Sequence, residues 1–194
     1  MSTIEEAVVA LRAGRPVVMP TDTVYGVAGS FTAPGAVAAV FTAKGRPTDR
    51  PLPVLGGDMA AFGDVALFDA RAQALAARFW PGPLTLVLPR AAGFDVDLGG
   101  AAKDSVAVRV PRHDTALALL HRTGPLAVSS ANRSDEAAAL TVEEAQAALG
   151  ETVAVFVDGG RLTGRPSTIV SLVAELRLIR EGELSLADVQ RAMS

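Results

Sequence analysis

The chain contains no cysteine. Disulfides, thiolate nucleophiles and cysteine-ligated zinc are therefore excluded, while the compartment stays open. Histidine is scarce too: His113 and His121 are too few for a histidine-rich metal centre. Aromatic residues make up 5% of the chain, with a single tryptophan, Trp80, and a single tyrosine, Tyr25. No apolar run exceeds about six residues, far short of the roughly 20 that cross a bilayer. Basic residues are in the minority, 18 Lys and Arg against 21 Asp and Glu, for a net charge of −3. A surface that grips nucleic acid all over is unexpected at that balance, although a local basic groove is compatible with it. The opening Met1-Ser2-Thr3-Ile4-Glu5-Glu6 is acidic and lacks the basic-then-apolar order of a signal peptide, so a cytoplasmic protein is the default expectation. Three phosphate and nucleophile motifs are also missing: the P-loop, Gly-x-Gly-x-x-Gly, and the Gly-x-Ser-x-Gly elbow that would turn His113-Asp114 with Ser129 or Ser130 into a hydrolase triad.

What is present suits one sizeable core. Of 194 residues 49% are hydrophobic and the mean hydropathy is +0.32, which favours a single domain over residues 1–194. Short β-like runs alternate with helical patterns, the signature of an α/β fold. Thr3-Ile4-Glu5-Glu6 reads as a capping box for a helix stopping at Gly14. Asp69, Asp114, Thr141 and Ser185 read as caps of later helices, and Pro34 as the first turn of a helix over 35–43. Strands are expected near 15–20, 52–55, 84–88, 105–110, 126–129, 153–157, 168–173 and 176–179. Phe79-Trp80-Pro81-Gly82-Pro83 reads as a proline-fixed turn that packs Trp80 on the core. The Gly- and Arg-rich 158–166 segment reads as a long active-site loop.

Several apolar strands run out into small polar or basic residues: Thr21-Asp22-Thr23 with Tyr25, Ser105 to Arg109, Ser129-Ser130-Ala131-Asn132, and Ser167-Thr168. Convergence of such strand ends is how open α/β sheets build ligand sites. Taken singly, each has a plainer account. Ser129, Ser130 and Asn132 suit a turn, Asp22 suits hydrogen bonds to its own loop, Tyr25 suits a core tyrosine, and Arg109 and Arg180 suit solvated strand ends. Lys44-Gly45-Arg46-Pro47 is harder to explain structurally, because two cations held close by Gly45 and Pro47 call for an anion between them.

In this order, seven segments resemble the YrdC-like family of threonylcarbamoyl-AMP synthases in its short single-domain form. They are Pro-Thr-Asp-Thr-Val-Tyr-Gly (20–26), Lys-Gly-Arg-Pro (44–47) with Pro51-Leu52, Trp-Pro-Gly-Pro-Leu-Thr (80–85), Val-Arg-Val-Pro (108–111), Ser-Ser-Ala-Asn (129–132), Ser-Thr-Ile-Val (167–170) and Arg-Glu-Gly (180–182). The resemblance implies a twisted, mixed or largely parallel sheet with flanking helices and a large cationic cleft. It implies ATP-dependent synthesis of L-threonylcarbamoyl-AMP from L-threonine and bicarbonate, with pyrophosphate released. The product would feed N6-threonylcarbamoylation of adenosine 37 in tRNA through partner proteins. By the same resemblance, Lys44 and Arg46 are catalytic and hold threonine together with Thr23 and Tyr25. Arg109, Ser130, Asn132, Ser167, Thr168 and Arg180 bind the nucleotide, and Mg²⁺ is carried by ATP rather than by protein side chains. The chain departs from common family patterns at Leu55, Ser171 and Arg133-Ser134-Asp135.

A binding module offers a second reading, with the same cleft holding tRNA or double-stranded RNA without chemistry. Against it stand the negative net charge and the absence of a basic stripe elsewhere. A third is the related carbamoyl-adenylate chemistry of a domain in hydrogenase-maturation proteins, which occurs within much longer chains.

Overall fold

The computed structural model describes residues 3–193; Met1, Ser2 and Ser194, including the very start of the acidic N-terminal segment, lie outside the described residues. Helix α1 (Ile4–Arg12) opens on the expected capping box, Thr3 accepting from the Glu6 backbone and Glu6 reaching back. It leads into β1 (Val17–Met19), β2 (Gly26–Gly29) and α2 (Ala36–Lys44). Then follow β3 (Val54–Leu55), α3 (Ala70–Phe79), β4 (Leu84–Pro89), β5 (Ser105–Arg109) and α4 (Asp114–Thr123). The chain closes with β6 (Leu126–Ser130), α5 (Val142–Leu149), β7 (Val155–Phe156), β8 (Thr168–Ser171), β9 (Arg177–Arg180) and α6 (Leu186–Arg191). Asp69, Thr141 and Ser185 cap α3, α5 and α6 as expected.

Two helix starts differ from expectation. Asp114 is the first residue of α4, where its charge faces the positive end of the helix dipole; His113 occupies the cap and makes no side-chain capping bond. Helix α2 begins after Pro34, from Gly35 in the left-handed region at φ 76°. Its far end is fixed by Gly45, also left-handed at φ 59°, a conformation that glycine adopts at no steric cost. Lys44 therefore ends the helix rather than following it.

The nine strands among the described residues form one sheet in the order β7-β1-β2-β6-β3-β5-β4-β8-β9. It is mixed: β1/β7, β3/β5 and β4/β8 pair in parallel, and the remaining five neighbour pairs are antiparallel. The antiparallel majority has a local cause, since β1/β2, β4/β5 and β8/β9 follow one another in the chain and fold back without a crossover helix.

One face carries the larger core. There Leu84, Leu86, Val106, Val108 and Val170 pack with residues of α2, α3, α5 and α6. Trp80 belongs to this side, 5.7 Å from the Phe62 ring, with its indole N–H donating to the Leu84 carbonyl at 2.7 Å. On the other face α1 and α4 cover Val17 and Met19 of β1, Ala28 of β2 and Leu126 and Val128 of β6. They do not extend over β5, β4, β8 and β9, and the half-covered face leaves a cleft. Among the described residues no helix is long and apolar enough to cross a membrane.

Candidate active site

The uncovered face holds a cavity of about 770 Å³, towards the upper part of the usual range for ligand sites. Period-two alternation builds its floor. In β4, Leu84, Leu86 and Leu88 enter the core while Thr85 and Val87 face the cleft. In β5, Val106 and Val108 pack inward while Ser105, Ala107 and Arg109 line the opening, and in β8 Ile169 and Ser171 do the same. The site thus lies across a sheet face. The expectation of a site outside converging strand ends is corrected: Thr168 begins β8 with Ser167 just before it, and Arg109 ends β5 on the floor itself. Arg46, Arg90, Arg109, Arg177 and Arg180 line the cleft against one acidic residue, Asp104.

The 20–26 loop is stapled by Thr21. Its hydroxyl donates to the Val24 carbonyl at 2.7 Å and accepts from the backbone N–H groups of Thr23 and Val24. Asp22 was expected to hold this loop, and the structure corrects that. Its Oδ1 accepts from Arg109 Nη2 at 2.5 Å, with both side chains only 7% exposed. Its Oδ2 is buried without a hydrogen-bond partner. Arg109 also donates from Nη1 to Thr23 Oγ1 at 3.2 Å and from Nε to the Gly82 carbonyl at 2.9 Å. One buried guanidinium thus ties the 20–26 loop to the turn after Trp80. Burial pulls its pKa down, and the Asp22 charge opposes that.

Tyr25 is fully buried, and its hydroxyl faces the 158–160 backbone. It donates to the Gly160 carbonyl at 2.8 Å, accepts from the Gly159 N–H at 2.9 Å, and lies 3.3 Å from Asp158 Oδ1. Burial raises its pKa. Two further bonds, Thr163 Oγ1 to the Asp22 carbonyl and Gly164 N–H to the Thr23 carbonyl, strap the 158–166 loop over the 20–26 loop. Gly164 and Pro166 then reach the cleft rim.

Lys44 is 2% exposed and sits behind the cleft wall rather than among its lining residues. Its ammonium donates to the carbonyls of Ser130 (2.5 Å) and Asn132 (2.7 Å) and to Asn132 Oδ1 (3.3 Å). Burial, and secondarily the Arg46 charge, lower its pKa to about 8. Asn132 completes the turn by donating from Nδ2 to the Arg133 and Glu136 carbonyls. Arg46 does face the cleft, steadied by the Arg50 carbonyl at 3.1 Å and the Pro51 carbonyl at 3.5 Å. Arg50 in turn pairs with Asp135 at 2.9 Å. Asp135 holds a left-handed φ of 66°, which Asp tolerates better than most residues.

On the opposite wall Thr168 is fully buried, its hydroxyl donating to the Leu184 carbonyl and accepting from the Gly182 and Leu184 N–H groups. Ser167, by contrast, faces the cleft with Arg180, whose Nη2 donates to the Ser167 carbonyl (2.9 Å) and hydroxyl (3.2 Å). The cleft lining therefore includes Thr23, Tyr25, Arg46, Arg109, Ser130, Ser167 and Arg180, while Lys44, Asn132 and Thr168 buttress its walls. Leu55 and Ser171 both line it as well. Sequence reasoning missed Thr85, Arg90 and Arg177. The available signal for Thr85 was a lone hydroxyl in the apolar run Leu84-Thr85-Leu86-Val87-Leu88.

A mixed sheet with one face half open, and guanidinium and hydroxyl groups converging on that face, defines an α/β protein with a ligand cleft suited to anions. The chain belongs to the Sua5/YciO/YrdC family, whose sequence profile, described as "Telomere recombination", matches residues 9–182. A putative threonylcarbamoyl-AMP synthase of Mycobacterium leprae is 44% identical over 193 residues, covering 98% of this chain and 87% of that protein. The crystal structure of Pyrococcus abyssi Sua5 complexed with L-threonine superposes with a TM-score of 0.92 at 34% identity, over 97% of this chain and 56% of that one. The Escherichia coli YciO structure, with a TM-score of 0.87 at 23% identity over 96% of this chain and 92% of that one, shares the fold.

Proposed function

We propose that this chain is a threonylcarbamoyl-AMP synthase, converting L-threonine, bicarbonate and ATP into L-threonylcarbamoyl-AMP, pyrophosphate and water. The observation that carries this reading is the pairing of a cleft lined by five arginines and several hydroxyls with 34% identity to a protein seen with L-threonine in its structure. The threonine amine adds to bicarbonate and water leaves, giving a carbamate. A carbamate oxygen then attacks the α-phosphorus of ATP, and the bond to pyrophosphate breaks. Three anions must meet, and their repulsion is the main barrier that fixed cations remove. Positioning supplies the rest, as in phosphoryl transfer generally.

Arg46 meets the threonine carboxylate and the reacting oxygens. Thr23 recognises the substrate hydroxyl. Lys44 adds its charge from behind Ser130 and fixes the 130–132 wall. Tyr25 supports the same pocket by anchoring the strap. Ser130, Ser167, Arg109 and Arg180 face the nucleotide, and Asn132 and Thr168 hold the backbone that presents them. Mg²⁺ would enter on the ATP phosphates, where it would neutralise charge. The adenylate then passes, in the cytoplasm, to partner proteins that modify tRNA.

The deciding experiment incubates the protein with ATP, bicarbonate and L-threonine and follows pyrophosphate. Release that requires threonine is expected, and its absence overturns the reading; salt-dependent RNA binding unaffected by ATP would instead favour the binding module. Arg46→Ala is expected to lower turnover at least 100-fold while melting within a few degrees of wild type; wild-type turnover in that variant removes the role given to Arg46.

A further inference from the structure

We propose that Thr85 is a positioning residue that aims a single hydroxyl proton from the Thr85–Ser167 pair into the cleft beside Arg180. Thr85 Oγ1 and Ser167 Oγ lie 2.9 Å apart, and the residues are 3% and 5% exposed. Arg180 Nη2 is 3.2 Å from the same Ser167 oxygen. A guanidinium can only donate, so Ser167 accepts from Arg180. Two arrangements remain. If Ser167 donates to Thr85, the Thr85 proton has no other acceptor among the described residues. If Thr85 donates to Ser167, the Ser167 proton is the one left over.

Either way the pair presents one unmatched O–H on the cleft side, next to a cation. A group able to satisfy both is an acceptor oxygen, and an anionic one binds there most strongly. Thr85 projects from β4, held in register opposite Ile169 of β8, and Ser167 immediately precedes β8, so the pair is anchored by two paired strands.

The inference rests on the synthase reading for its ligand, the phosphate or carbonate oxygen of the reacting complex, and the test separates the two. Thr85→Val keeps the branched shape and removes the hydroxyl. It is expected to melt at or above the wild-type temperature, to lower kcat about tenfold, and to weaken ATP binding measured by calorimetry several-fold, with KM for L-threonine changed less than about twofold. Thr85→Ser restores both readouts. In a Ser167→Ala background, adding Thr85→Val is expected to cost clearly less than its full tenfold, because the two hydroxyls hold the presented proton jointly.

Wild-type kcat and ATP affinity in Thr85→Val, failure of Thr85→Ser to rescue, or a full tenfold further loss in the double variant each overturn the proposal. If the wild type binds ATP with Thr85-dependent affinity but releases no threonine-dependent pyrophosphate, the synthase reading falls and the positioning role stands. If it does neither, both fall.

Discussion

Removing the Asp22 carboxylate tests how the cleft is held together. Asp22→Ala deletes the partner of a guanidinium that is only 7% exposed and keeps only the Thr23 hydroxyl and Gly82 carbonyl as acceptors. Leaving one member of a buried ion pair costs about 3–5 kcal/mol; the two surviving bonds place Asp22→Ala near the lower end. In a chain of this length, about 3 kcal/mol lowers the melting temperature by about 6–12 °C. The pair is not thereby a large net stabiliser, because Asp22 Oδ2 is already buried without a partner. Replacing both members by apolar residues, Asp22→Leu with Arg109→Met, is therefore expected to recover most of the loss, to within about 1–2 kcal/mol of wild type. The assay is urea denaturation of wild type, Asp22→Ala and the double variant, with thermal melting as a second probe. A cost below about 1 kcal/mol for Asp22→Ala, the value of a surface pair, refutes the reasoning.

Two further predictions concern the walls. The Lys44 pKa of about 8 lies below the ordinary lysine value of 10.5, so below pH 8 the buried ammonium opposes folding. Between about 8 and 10.5 the native lysine has lost a proton that the unfolded chain keeps, and the stability contribution rises with pH. Activity moves the other way: kcat/KM is expected to fall above about pH 8 as the cation is lost, a limb absent from Lys44→Met, and a wild-type profile flat to about pH 9.5 contradicts this. Gly182→Ala would place a Cβ 2.2 Å from the Pro166 carbonyl oxygen and 2.5 Å from the Ser167 carbonyl carbon. It is expected to displace Ser167 and lower turnover more than tenfold, and wild-type turnover would show that the 166–167 backbone yields freely.

Much of the fold was legible because its signals are local. The Thr3, Asp69, Thr141 and Ser185 caps act within one turn of their own helices, and the β4 run Leu84 to Leu88 shows its apolar character without any partner. Asp114 and Pro34 misled because a helix start is fixed by the backbone just before it, here His113 and the left-handed Gly35. The site residues were recognisable as a set, yet their division of labour was not. Lys44 reads as a cleft cation until the turn at Gly45 buries its ammonium against three oxygens from 130 and 132, 86 and 88 positions away. Asp22 reads as a local staple until Arg109, 87 positions on, takes its carboxylate.

The sequence by itself determined an α/β chain with one large core, no cysteine chemistry, and a specific collection of cations and hydroxyls. Composition, capping and hydrophobic period are properties of neighbouring residues, and they survive without knowledge of the fold. Only the tertiary structure decided where the Thr21–Gly26 and Lys44–Pro47 segments stand. The sheet order, set by pairings between distant strands, leaves the β5-β4-β8-β9 face uncovered by α1 and α4. That vacancy turns alternate residues of interior strands into a cleft floor, makes Thr85 part of the site, and sends Lys44 behind its wall.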